Sequence, residues 1–178
     1  ELKKFLEENE GENYTFHDEN HIETIENFKE KQKIGENDNH IVKLIQNDLV
    51  DEFKNFVKEK SIDLKSSIEA SIFETNPFLI KQKETTLIEY TAFLGSIQIF
   101  EYLVLSKVEL TPSLWLYAVH SNSLKMIHLL EKYNVKPEGK SYIECFVESI
   151  KCHHIDVSYY LQNYYLPNES NINIYSDI

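Results

Sequence analysis

Two groupings in the chain have the residue types for metal or nucleophilic chemistry. His17-Asp18-Glu19-Asn20-His21 sets two imidazoles at i and i+4, a spacing that chelates zinc when both sit on one helix face. It is not the His-Glu-x-x-His motif of metalloproteases, because Asp follows the first histidine and Glu comes one place late. Asp18 is also a candidate helix cap, which would leave His17 outside the helix. The second grouping is Cys145 with Cys152-His153-His154, the ligand types of a zinc site or of a Cys–His nucleophile pair. Adjacent residues on a turn point apart, so the expected role of this group is structural. No glycine-rich phosphate loop, Gly-x-Ser-x-Gly elbow or paired-carboxylate signature occurs. The expectation is therefore a non-enzyme with no catalytic residue, no metal ligand and no cofactor.

The elements that must position these residues are helical. Only four glycines and four prolines occur in 178 residues, too few for the turns of a many-stranded sandwich or barrel. Ile97, Phe100 and Leu103 repeat at i, i+3, i+6, as do Leu124, Ile127 and Leu130, then Ile155, Ser158 and Leu161, and upstream Val50, Phe53 and Phe56. That spacing keeps one helix face apolar over two turns. Helices are also expected over 2–8 and, capped by Asp18, over 18–33, where Ile22, Ile25 and Phe28 share a face before Gly35. Between 61 and 85 the pattern dissolves around Asn76-Pro77, which reads as an insertion with one short helix. The 42% hydrophobic and 27% charged composition suits a soluble globular domain, and no apolar run approaches a membrane span.

Charge narrows the partners. The net charge of −12 comes from 30 acids against 18 bases, all of them lysine. Arginine supplies the planar fork that grips phosphates and guanine edges, so its absence in a negative field argues against nucleic acid, and an anionic membrane is disfavoured likewise. Twelve acids and five lysines fall within residues 1–40, leaving a basic partner or a merely well-solvated surface. Cys145 and Cys152, seven residues apart on one predicted helix, would stand ~10 Å apart and cannot bridge. Free thiols without a hydrophobic signal sequence lead to an intracellular, cytoplasmic expectation, although a chain beginning with Glu1 leaves room for a removed targeting segment.

The stretch from Thr86 to Val104 gives the organisation its most specific reading. Thr86, Ala92, Gly95, then Ile97, Phe100, Leu103 and Val104 resemble the ankyrin repeat pattern of Thr-Pro-Leu-His-x-Ala-Ala, Gly-His and Leu-x-x-Val-x-x-Leu-Leu. The next unit offers Ser113, Ala118 and Asn122 at the threonine, alanine and glycine places, and the third has Glu144 at the threonine, His153 at the glycine and His154 at the following histidine. The wording Leu-Ile-Glu-Tyr-x-Ala-Phe, Leu-Thr-Pro-Ser-Leu-Trp and Ile150 to His154 looks like a group of divergent protist ankyrin proteins with an N-terminal domain of unassigned function. The period departs from the usual ~33 residues: the second helices begin 47, 27 and 31 residues apart, at Val50, Ile97, Leu124 and Ile155.

The resemblance implies an all-α, ankyrin-like solenoid of about four helix pairs (39–60, 86–105, 113–132 and 142–163) with insertion 61–85, additional N-terminal helices in 1–38 and a C-terminal tail over 166–178. It further implies a monomeric protein-recognition module. The expected contact residues are Gln82, Lys83, Thr85, Phe93, Leu94, Glu109, Leu110, His120, Ser121, Lys140, Ser141, Lys151 and Cys152. Phe93 and Leu94 either form an exposed docking patch or are buried by the N-terminal helices. The rival readings are a structural spacer in a longer ankyrin protein and a small enzyme or metal protein built on His17, His21 or the Cys152 region.

Overall fold

In the computed structural model, residues 15–18, 21–82 and 84–166 are described. Helix dominates them. In chain order the elements are strands β1 (Thr15–Asp18) and β2 (His21–Thr24), helices α1 (Ile25–Ile34), α2 (His40–Gln46) and α3 (Val50–Glu59), strand β3 (Ser67–Ile68), helix α4 (Pro77–Lys81) and strand β4 (Thr85–Thr86). Six further helices follow: α5 (Leu87–Leu94), α6 (Ile97–Leu105), α7 (Leu114–His120), α8 (Leu124–Lys132), α9 (Ile143–Lys151) and α10 (Ile155–Tyr165). No described helix is long and apolar enough to cross a membrane.

Contacts divide the chain into two units, one of the amino-terminal segment through Asp38 with Ala70–Gln82, the other of Asn39–Glu69 with Lys83 onward. The 61–85 stretch is divided between them, Ala70–Gln82 falling in the first unit and the rest in the second. In the first unit the helix expected to open at Asp18 opens at Ile25, after an antiparallel hairpin in which His17 lies opposite Ile22 and Asp18 opposite His21. Thr15, Ile22 and Thr24 favour extended backbone, and Asp18 suits a strand end as readily as a cap. The two histidines therefore sit on separate strands and not on one helix face; their side chains, and the 2–8 segment, lie outside the described residues. Phe28 meets the Phe73 ring edge-on at 5.2 Å. The Thr75 backbone N–H (3.0 Å) and hydroxyl (2.8 Å) both donate to the Gly35 carbonyl. Gly35 has φ +72°, and a Cβ there would stand 2.7 Å from Thr75 Oγ1, so both backbone and space require glycine.

The second unit holds four consecutive helix pairs: α2–α3, α5–α6, α7–α8 and α9–α10. The first helices pack on one another in series, α2 on α5, α5 on α7 and α7 on α9, while α3 packs on α6. Their apolar faces make the core, in which Ile45, Phe53, Phe100, Leu103, Leu114, Trp115, Ile127, Leu130, Val157 and Leu161 have no exposed surface. In α10 the buried positions are Val157 and Leu161, whereas Ile155, expected on the apolar face, is 76% exposed because the helix begins there and its core stripe starts two residues on.

Local chemistry sets the boundaries. Thr86 and Glu89 form a reciprocal capping box that starts α5, and Ser113 donates to the other Glu89 oxygen at 2.7 Å, joining consecutive pairs. Asp48 caps α6 from the preceding pair, each of its carboxylate oxygens accepting a backbone N–H, from Ile99 and Gln98, at 3.0 Å. The ends share one device: Asp48, Ser61, Gly95, Lys107, Asn122, Asn134 and His153 all have φ between +50° and +73°. At six of these seven ends the following residue's N–H reaches the carbonyl five residues back, as in Ser96 to Thr91 and His154 to Ser149, a left-handed helix stop. Two side chains repeat a cross-pair bond: Ser96 donates to the Ile45 carbonyl at 2.5 Å and His154 Nδ1 to the Val119 carbonyl at 2.8 Å.

Candidate functional site

Phe93, His120 and Lys151 lie two residues before Gly95, Asn122 and His153, at equivalent places on α5, α7 and α9. Because these three helices stack, their last turns form a row. The Phe93 ring stacks on the His120 imidazole, 5.5 Å between centroids and 29° between planes. The next step in the row comes from α9: His120 Nε2 stands 3.1 Å from Glu148 Oε1, and its Nδ1 stands 3.5 Å from Cys152 Sγ. Glu148 and Cys152 are i and i+4 on one helix face, and Lys151 Nζ lies 3.9 Å from the second Glu148 oxygen.

Electrostatics fix the protonation. Burial lowers the pKa of His120, against the pull of the Glu148 carboxylate, and His154 adds to the lowering. The ring is neutral. The carboxylate holds the proton on Nε2, which leaves the Nδ1 lone pair facing the thiol. Cys152 S–H therefore donates to Nδ1, and His120 Nε2–H donates to Glu148. The Cys152 thiol is raised above its ordinary value by burial and by Glu148, with Lys151 acting weakly the other way. The trio has the order of nucleophile, base and orienting acid, but the thiol is held protonated and not activated. Cys145, 1% exposed, is pushed up to about 12, chiefly by burial, and is an inert core residue.

The other expected contact residues are dispersed. Leu94 is half-buried. Ser121 is committed to its own turn, donating to the Ala118 carbonyl at 2.6 Å and accepting from Ser123 N–H at 3.2 Å. Thr85, expected at the surface, is buried, because β4 pairs with β3 and its hydroxyl meets Tyr117. Gln82 is exposed in the first unit, and Glu109, Leu110 and Ser141 lie on loops flanking the helices. Lys83 and the Lys140 side chain lie outside the described residues. Glu148 carries no motif and escapes a reading by turn register; its i, i+4 relation to Cys152 is the signal that reveals it. A cleft of about 460 Å³ elsewhere in this unit, lined by Ile41, Phe56, Ile62, Ile68 and Leu87 among others, involves none of the row.

On the second-helix side a different carboxylate gathers partners. Tyr160 and Tyr165 hydroxyls both donate to Glu131 Oε1, the former at 2.8 Å, while His128 Nδ1 meets Oε2 at 2.8 Å. Burial would raise the Glu131 pKa, but these three partners outweigh it and lower it. Tyr160 and Tyr165 are raised, by burial and by the carboxylate they serve. Tyr165 stacks on Tyr142 at 3.8 Å, and both rings meet the edge or face of fully buried Trp115, whose indole N–H donates to the Val135 carbonyl at 3.0 Å. The chain matches no described protein family, no curated protein and no solved structure.

Proposed function

We propose that the four helix pairs are an ankyrin-like solenoid that recognises a protein partner along the row of first-helix ends, without catalysis. The observation that carries the reading is the row itself: Phe93, His120 and Lys151 occupy equivalent positions on three stacked helices, with the Phe93 ring stacked on His120 and Glu148 lying between His120 and Lys151. The series packing of first helices and the recurrent left-handed stops give it the repeat character on which the ankyrin likeness rests. Binding to such a surface is by shape, since capped and cross-bonded ends lose little freedom on docking. An excess of 12 acids over bases favours a basic partner.

The test is capture from a source-cell lysate by wild type and by a Phe93→Asp, Leu94→Lys double mutant, followed by titration of the recovered protein against each. The reading expects unchanged helical circular dichroism in the mutant and affinity reduced at least about tenfold. Equal affinity overturns it. A second reading, a spacer within a longer stack, draws on the apolar outer surface of the last pair, where Ile155 is 76% and Tyr159 69% exposed. Wild type that retains nothing favours that reading.

A further inference from the structure

We propose that Cys152, His120 and Glu148 form a binding site for a thiophilic divalent cation of the zinc class. The three donors are a sulfur, an imidazole nitrogen and a carboxylate oxygen, the ligand types such an ion takes, and their ligand atoms all lie within 4.8 Å of one another. Two ligands of a tetrahedral zinc, each about 2.0 to 2.3 Å from the ion, stand about 3.5 Å apart. Cys152 Sγ and His120 Nδ1 are at that separation, 3.5 Å. Glu148 now holds the opposite ring nitrogen at 3.1 Å, and one imidazole nitrogen serves one ion. Ligation by all three therefore needs Glu148 to turn about its own side-chain bonds toward the thiol, its neighbour one helical turn away.

The supporting shell is built for position. Both ligand-bearing helix ends belong to helices packed on each other, and His154 Nδ1 ties the α9–α10 turn to the Val119 carbonyl, next to His120, at 2.8 Å. The Phe93 ring covers one face of the imidazole and shields that side from water. Glu148, a quarter exposed, leaves a fourth position to a water from the solvent side. On binding, the Cys152 S–H bond breaks, its proton passes to water and the sulfur ligates as thiolate, so a dication is held by two anions and one neutral ring. The site shares His120 with the proposed recognition row, but it needs no partner to be detected.

Cobalt(II) is the probe, because its thiolate complexes give a near-ultraviolet charge-transfer band that zinc(II) abolishes by displacement. The full chain should take up one cobalt per molecule with that band. Cys152→Ser should remove the band, while His120→Asn and Glu148→Gln should each weaken binding at least about tenfold. Cys145→Ser should change neither, and circular dichroism should show every variant folded. Absence of a saturable signal overturns the proposal. Cobalt uptake without the band, or a band that survives Cys152→Ser, places the ion on other side chains and overturns it equally.

Discussion

Two of the carboxylates that bridge neighbouring helix pairs, Glu131 and Glu148, solve the same problem in opposite ways. Glu131 accepts from two tyrosine hydroxyls and meets an imidazole, so both of its oxygens are engaged by groups from α8 and α10. Glu148 meets one neutral imidazole at 3.1 Å and a distant ammonium at 3.9 Å. Saturated polar clusters lock one arrangement, whereas a cluster with spare lone pairs and a weak thiol donor retains capacity for something else. The Glu131 side thus reads as a clasp and the Glu148 side as a place to bind.

The largest blow to the clasp is Trp115→Ala. The indole is wholly buried, meets Tyr142 and Tyr165, and donates to Val135, so its removal should cost about 3–5 kcal/mol in urea unfolding. A loss below about 1 kcal/mol would mean the aromatic side is not the clasp. Next in size is Glu131→Gln, which keeps the shape and loses charge-assisted bonds, for about 1–2 kcal/mol at neutral pH. Its sign with pH is fixed: the folded pKa lies below the ordinary glutamate value of 4.5, so the stabilisation is complete above that value and is lost as pH falls through the lowered one. Wild type and mutant should converge on acidification; a constant gap would contradict the clasp. Glu148→Gln should cost under about 1 kcal/mol, since a single partly exposed contact to a neutral ring is at stake. If Glu148→Gln costs as much as Glu131→Gln, the contrast between the two sides fails.

Helical character is legible in the sequence because the i, i+3 apolar sets and the scarcity of glycine and proline point the same way. The helix stops are harder to see. Seven helix stops in the second unit use a left-handed residue, and only Gly95 among those seven is glycine, so a search for turn glycines finds one stop in seven. The hairpin at His17–Ile22 was hidden because Asp18 suits a strand end and a cap alike. At the site, Phe93, His120 and Cys152 stand out by their distance from the turns. Their mutual contact does not, because it depends on how α7 and α9 stack, and Glu148 belongs to no motif at all. Thr85 misleads for a related reason: a loop threonine looks exposed until a two-residue strand pairing buries it.

The smallest expected effect separates the two sides through their backbones. Asn134 follows α8, which carries Glu131, and has φ +54°; His153 follows α9, beside Cys152, and has φ +58°. Asparagine tolerates this region because its short side chain satisfies the local backbone, so Asn134→Gly should be nearly neutral: the relief of residual strain is offset by the greater freedom of glycine in the unfolded chain. Histidine has less such compensation, and its side chain is exposed, so His153→Gly should raise stability by up to about 1 kcal/mol. The measurement is the urea midpoint at unchanged slope, which reports stability alone. A gain at His153 with none at Asn134 would mean that the turn beside Cys152 carries backbone strain that the turn after α8 does not. Equal shifts at both turns would remove that distinction and leave the two sides differing only in how fully their carboxylates are bonded.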